Sequence, residues 1–264
     1  HQALIDHWGE EQGILRAEIY HNAFPVSYQS HFDPRTAVHD IALFDGLENE
    51  IEIAMNFFQP AEVEKNVIRF KIFHLGSELS LSRMVPMLEN LGFLVIGEHP
   101  YPLTPTNRLP VWVHDFNLRF SLDLDIDVPL VRQNFVDAFR AVWLGRIDDD
   151  SFNWLVISAR LDWRSVALLR AYARYMKQLG IPISQDFIAN TLAQNLEITR
   201  NLVALFKTRL DPRLGSQESD KSDRASRLEQ KILAALDEVR NLNQDQVLRT
   251  YLGLIGATVR TNFY

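Results

Sequence analysis

"NVIRFKIFHLGSELSLSRMVPMLENLGFLVIGEHPYPL", residues 66–103, decides how this chain folds. Its first ten residues run apolar or alternate, rich in Ile, Val and Phe. Such side chains suit a pleated, half-buried surface, so a strand is predicted over 66–75. At "SLSRMVPMLENLG" (80–92) the period changes. Met84, Leu88 and Leu91 fall on one helical face, and Gly92 stops the helix. Pro86 inside it should remove a hydrogen bond or mark a kink. "FLVIGEHPYPL" (93–103) then returns to a strand-like pattern.

The same reading extends outward. "IEIAMNFF" (51–58) is a strand, joined to the next by polar "QPAEVEKN". "LPVWVHDFNLRFSLDLDIDVP" (109–129) is strand-like and follows the turn-rich "TPTNR". "PLVRQNFVDAFRAVWLG" (129–145) is a helix with Val131, Phe135, Ala138, Phe139 and Val142 on one face. The order is ββαββα, which is the ferredoxin-like βαββαβ with its last strand moved to the front. An α+β domain over 49–147 is predicted, with two helices covering one face of a four-stranded antiparallel sheet.

Both flanks read as helical. Residues 3–23 repeat Leu4, Trp8, Leu15 and Ile19 at helical spacing, and the prolines of "FPVSYQSHFDP" break the pattern. "DPRTAVHDIALFDGL" restarts it: Asp33 can cap, Pro34 suits the first helical position and Gly46 closes. This gives a helical lead-in over 1–48. A helical segment over 148–264 follows the sheet. Its clearest helix is "LDWRSVALLRAYARYMKQLG" (161–180), capped by Asp162, with Val166, Leu169, Ala173 and Met176 on one face. Polar, aperiodic "DPRLGSQESDKSDRAS" (211–226) is expected to be a mobile loop.

Composition narrows the function. The chain has 264 residues, 47% of them hydrophobic, which suits globular domains rather than disorder. No apolar run reaches the roughly 18–20 residues of a membrane span. The opening "HQALIDHWGEEQG" is polar and does not read as a signal peptide. Cysteine is absent, which excludes disulfides, thiolate catalysis and Cys-ligated metal sites. A reducing, cytoplasmic setting is expected. Residues 1–150 carry 11 Lys+Arg against 23 Asp+Glu, and residues 151–264 carry 16 against 11. The two parts therefore have charges of −12 and +5, which suits two units that either face each other or meet different neighbours.

Residues with chemistry are few. Asp123, Asp125 and Asp127 alternate, so on a strand they share one face that could attract a hard cation. They equally describe the solvated face of an edge strand. His114 and Asp115 are adjacent on a strand and point to opposite faces, so they cannot form a dyad. No nucleophile elbow, histidine zinc motif, phosphate loop or dinucleotide fingerprint occurs. Gly253 and Gly256 in "LGLIGA" follow no strand. Catalytic, cofactor and metal residues are therefore assigned to none of the chain. Arg160, Arg164, Arg170, Arg174 and Lys177 form a basic stripe near Trp163, Tyr172 and Tyr175. Overall acidity weighs against nucleic acid there, and a protein interface uses the same residue types.

Several stretches together resemble the large bacterial NAD-specific glutamate dehydrogenases. They include "FPVSYQSHFDPRTAVHDI", "RFKIFHLGSELSLSRMVPMLENLGFLVIGEHPYPL", "VWVHDFNL", the run from "FVDAFRAVWLG" through "RLDWRSVALLRAYARYMKQLGIPISQDFI", "ALFKTRLDP" and "ATVRTNFY". The resemblance implies the last of a series of ACT-like regulatory domains, followed by a helical segment that stops just before the catalytic domain. It implies NAD as cofactor of the parent but not of this chain, which alone is expected to be inactive. It also implies a homo-oligomer at full length, with the parent's catalytic domain and neighbouring ACT-like domains as partners. ACT domains often bind amino acids at the loop after the first core strand. Here that loop is "HLGSELS", so Gly76, Ser77 and Ser80 are the candidate effector residues. Gly76 would let a ligand approach the backbone, and the amides of Ser80 to Arg83 could receive a carboxylate. The alternatives are an autonomous amino-acid-binding module and an interaction domain. His1 at the front and the apolar "RTYLGLIGATVRTNFY" at the rear suggest a piece of a longer protein. Leu254, Ile255 and Val259 are expected to pack back on the helical segment or cover a second copy.

Overall fold

The computed structural model describes residues 1–60, 67–120, 128–213 and 218–264. The described chain forms two compact units, His1–Leu144 and Gly145–Tyr264. Asp123, Asp125, Asp127 and most of "QPAEVEKN" lie outside the described residues.

The first unit is built on strands β1 (Ile53–Phe58), β2 (Val67–Leu75), β3 (Phe93–Leu103) and β4 (Val111–Phe120). They form a four-stranded sheet in the order β1-β2-β4-β3, antiparallel throughout. This is the predicted permuted ferredoxin-like arrangement. Strand alternation divides β2 cleanly. Ile68, Phe70 and Ile72 point to one face, and Arg69, Lys71 and Phe73 to the other. The first face is covered by α5 (Leu81–Asn90) and α6 (Val128–Trp143), as expected. Aromatic rings dominate that layer. Phe135 stacks on Phe57 at 4.3 Å and meets the edges of Phe70 and Phe93 at 4.9 and 5.3 Å. Helix α5 runs through Pro86.

The helical lead-in covers the opposite face. It comprises α1 (Gln2–Trp8), α2 (Glu10–Tyr20), α3 (Val26–His31) and α4 (Pro34–Phe44). Ala17, Tyr20, Tyr28, Ile41 and Phe44 join Phe73, Tyr101, Leu103 and Val113 in one core. The single helix predicted over 3–23 is two, interrupted at Gly9. The two helices touch backbone to backbone at Gly13, where a Cβ would lie 2.5 Å from the Ile5 Cα. "FPVSYQSHFDP", read as a break, contains α3: Pro25 occupies the cap position, where a fixed φ is harmless, and Tyr28 anchors the turn in the core. Asp33 caps α4 as predicted, accepting from the Thr36 amide at 2.8 Å.

That second layer buries charge. Lys71 and Asp40 are both fully buried, with Nζ 2.5 Å from Oδ2. The Tyr28 hydroxyl donates to the same oxygen at 2.7 Å, and the Lys71 ammonium lies 3.7 Å from the Phe32 ring centre. Burial pushes the Asp40 carboxyl up, while Lys71 and Tyr28 pull it down. Beside this pair Asp115, also buried, accepts both arms of the Arg69 guanidinium.

The edge strand β3 has a bulge between Val95 and Gly97 and two prolines, Pro100 and Pro102. Leu94 and Ile96 are exposed on it.

The second unit is helical: a 3₁₀ turn (Ser151–Trp154), then α7 (Leu155–Ser158), α8 (Trp163–Gln178), α9 (Gln185–Gln194), α10 (Leu196–Leu210), α11 (Glu218–Leu236) and α12 (Leu242–Ala257). Val166, Leu169, Ala173 and Met176 are buried on α8, as the spacing predicts. The mobile loop expected over 211–226 is corrected: α11 is already helical from Glu218. One apolar row suffices to dock a helix, and buried Ile232 and Leu236 supply it. Once docked, a helix extends through polar turns at little cost. Residues 214–217 are outside the described set.

Removing one partner of a buried ion pair strands the other charge and costs about 3–5 kcal/mol. Lys71→Met should therefore lower the urea midpoint of unfolding sharply. The double variant Asp40→Leu/Lys71→Met should recover most of the loss, because it strands no charge.

Candidate functional site

The three candidate effector residues lie on one loop between β2 and α5. Gly76 sits at φ +84°, in the left-handed region that favours glycine, and its N–H donates to the Pro110 carbonyl at 2.8 Å. The space before it is filled: a Cβ there would lie 2.5 Å from the Glu50 Oε1. The open approach expected at Gly76 is therefore occupied by a carboxylate of the same chain. Ser77 is exposed, but its carbonyl faces the His74 Nδ1 at 2.8 Å. Ser80 precedes α5 without capping it, and its hydroxyl pairs with Ser82 at 2.7 Å. The Arg83 amide donates to the Ser80 carbonyl at 3.0 Å, which withdraws it from the group expected to receive a ligand carboxylate.

Beneath this loop lie residues that sequence reasoning did not single out for it. His74 is buried at the end of β2, and its Nε2 faces the Glu50 carbonyl at 2.7 Å. His114 is fully buried on β4, with Nδ1 2.7 Å from Glu98 Oε1 and Nε2 3.2 Å from the Leu79 nitrogen. Its neighbour Asp115 bonds Arg69 on the other face, so the two form no dyad, as strand geometry requires. The Trp143 indole donates to the Ile51 carbonyl at 2.9 Å, and the Arg83 guanidinium stacks 3.8 Å over its ring. These residues are scattered in sequence. Strand register places the two histidines on one face, and α5 and α6 bring Arg83 and Trp143 to it.

Among the described residues, no group of three His, Asp or Glu could hold a metal ion. No helix among them is long and apolar enough to cross a membrane. The basic stripe of α8 does not hold as one surface. Arg170 is buried, with Nε and Nη2 each 2.7 Å from the Asp150 carboxylate and Nη2 2.8 Å from Asn153 Oδ1. Arg174 pairs with Asp148 at 2.8 Å. Both are neutralised by the acidic run that precedes the 3₁₀ turn.

The end of the chain packs on α8 and α10. The buried Tyr251 hydroxyl donates to the Leu169 carbonyl at 2.8 Å, and Tyr172 and Thr258 hydroxyls meet at 2.7 Å. Arg209 donates to the Gly256 carbonyl at 2.8 Å and Arg164 to that of Phe263 at 2.9 Å. Phe263 meets Phe206 edge-on at 5.5 Å. Ile255 is buried and Leu254 partly so, as expected. Val259 is 83% exposed and does not pack back on the helical segment, which leaves a second copy as the expected cover. It follows the end of α12 at Ala257, where the helical face no longer dictates its direction. A cleft of about 680 Å³ lies between these elements, lined by Trp163, Leu168, Tyr175, Leu254 and Arg260 among others. Asp162, the cap of α8, accepts from the Ser165 amide at 2.9 Å, the Ser165 hydroxyl at 2.7 Å and Lys207 at 3.0 Å.

Comparison with known families follows the same division. Residues 3–47 match helical motif 2 of glutamate dehydrogenase, 52–129 its ACT3 domain and 147–212 its helical motif 3. Residues 231–264 match the catalytic domain of bacterial NAD-glutamate dehydrogenase. The chain is 44% identical over 262 residues to the NAD-specific glutamate dehydrogenase of Halomonas elongata. Identity is 41% with that of Pseudomonas aeruginosa and 33% with that of Mycobacterium tuberculosis. These matches cover 99%, 99% and 96% of the chain, but only 16% of each relative's length. The chain is thus a segment of the large bacterial NAD-specific glutamate dehydrogenase family. One implication of the resemblance is corrected. The catalytic-domain match begins at residue 231, inside α11, rather than beyond the last residue.

Burial pushes the Asp162 carboxyl up, but the bonds from Ser165 and Lys207 prevail and hold it below the ordinary aspartate range. A carboxyl depressed by folding stabilises above its unfolded pKa, and the benefit is lost as pH falls through the folded pKa. Asp162→Ala should cost about 1 kcal/mol at neutral pH, as helix caps do. In urea titrations at descending pH, its stability should converge with that of the parent sequence in acid.

Proposed function

We propose that this chain is a non-catalytic scaffolding and regulatory region of an NAD-dependent glutamate dehydrogenase. The parent reaction is L-glutamate, NAD and water to 2-oxoglutarate, ammonium and NADH. The observation that carries the reading is the packing of 231–264 within the second unit. A stretch matching the family's catalytic domain is held on α8 and α10 by Tyr251, Arg209, Arg164 and Phe206. A helical motif bonded in this way to the approach of the catalytic domain fixes where that domain starts.

In this reading the parts are a lead-in over 1–48, an ACT-like domain over 49–147 and a helical segment over 148–264. The partners are the parent's catalytic domain, neighbouring ACT-like domains and further copies of the same protein in the cytoplasm. NAD belongs to the parent.

A second reading is amino-acid binding at Gly76, Ser77 and Ser80. Its support is that Ser77 and Ser80 are exposed on a loop backed by buried residues. Glu50 would have to leave Gly76 for a ligand carboxylate to approach it.

The 264-residue chain should produce no NADH from L-glutamate and NAD in a spectrophotometric assay, and measurable turnover would overturn the scaffold reading. Calorimetric titration with a panel of amino acids separates the two readings. Heat from one amino acid, lost in Gly76→Val, would favour the binding module.

A further inference from the structure

We propose that an acidic face on α2 and a basic face on α11 are a matched pair through which copies of this chain associate, α2 of one copy against α11 of another. The proposal names the contact between copies within the scaffold reading, and rests on that reading only for its place in the parent.

The α2 face consists of Glu11, Ile14, Leu15 and Glu18. Their spacing, i, i+3, i+4 and i+7, puts them on one side of the helix, away from buried Gly13, Ala17 and Tyr20. Ile14 and Leu15 are 39% and 49% exposed, and both glutamates are exposed. Neither glutamate has an ion-pair partner among the described residues. Glu11 lies in the first turn, where an acid suits the positive end of a helix. Glu18 lies near the other end, where an acid is disfavoured, and no base stands in that last turn. An arriving cation would offset this.

Helix α11 repeats the spacing with the opposite sign. Arg224, Arg227, Leu228 and Lys231 stand at i, i+3, i+4 and i+7 and, with Ala234, line one open trough. The three bases are exposed and Leu228 is half-buried. None of the three has an ion-pair partner among the described residues. Glu229, the acid within this stretch, lines a different depression.

Complementarity sets the occupant. Apolar contact at the centre and charge at the rim are the make-up of a protein interface. Opposite charge across it fixes register and rejects wrong partners. A nucleic acid or an anionic lipid would match α11 and leave the unpaired, apolar-centred face of α2 without a role. A second copy supplies both faces. The charges of −12 on residues 1–150 and +5 on residues 151–264 favour the same choice, since unlike parts of two copies attract and like parts repel.

The test is sedimentation of the full 264-residue chain at protein concentrations up to about 1 mM. Association should appear as a mass above that of one chain. It should weaken at least tenfold as salt rises from about 50 mM to about 500 mM. Glu11→Lys/Glu18→Lys and Arg224→Glu/Lys231→Glu each set like charges across the contact. Each alone should associate more weakly by roughly tenfold or more. Mixed in equal amounts, the two restore opposite charges and should recover association to within about threefold. Leu15→Ser changes no charge and should weaken association while keeping its salt dependence. Circular dichroism checks the fold of every variant. Should a charge-reversed chain fail to fold, Glu18→Gln and Lys231→Gln replace it, each expected to weaken association about threefold. A parent sequence that stays at the mass of one chain overturns the pairing. So do variants that associate as the parent sequence does, or a mixture no stronger than its components. The scaffold reading stands or falls separately, on NADH formation.

Discussion

Lys71 can remain in the interior only while Asp40 lies beside it. An ammonium with no access to water needs an opposite charge at contact distance, and here it is 2.5 Å away on a helix that precedes the sheet in sequence. This constraint ties α4 to β2 and brings with it Tyr28, which shares the same carboxylate oxygen. The lead-in and the sheet consequently form one unit rather than two. Hydrophobic burial favours that layer in general. The ion pair specifies which way the layer must sit, because an apolar contact tolerates sliding and a buried charge does not.

Much of the fold was legible because its signals are local. The change of period between "NVIRFKIFHL" and "SLSRMVPMLENLG" marks strand and helix, and the strand order follows from the ββαββα succession. Covering of the sheet's second face was not legible. Arg69 and Lys71 look like the solvated side of an amphipathic strand, and only their partners, Asp115 and Asp40, reveal that this side is internal. Those partners lie 46 and 31 residues away in sequence. The same limit applies to the candidate site. Gly76 announced a tight turn, but its pairing with Glu50 and the placing of His74 and His114 beneath it come from register. Spacing within one strand could say only that His114 and Asp115 point apart. The start of α11 was missed for a different reason, since its residues 220–231 include no buried side chain to reveal a period.

In the second unit the last helix and the residues after it are held largely through backbone carbonyls. Tyr251, Arg209 and Arg164 all donate to main-chain oxygens. Bonds of this kind depend on the course of the chain rather than on the residue receiving them. They suit a junction that must hold position through changes of sequence, and they join the helical motif to the stretch that matches the catalytic domain.

The two halves of β3 offer different things to a passing strand. Pro100 and Pro102 bring no backbone hydrogen, and a proline on an edge strand turns that missing donor outward. The bulge before Gly97 twists the register away as well. A foreign strand therefore finds no continuous ladder to extend along the later half. Phe93 to Val95 lies before the bulge, carries no proline and exposes Leu94. A strand added to this edge would find its ladder at Phe93 to Val95, where a single lysine would do what the prolines do at the other end.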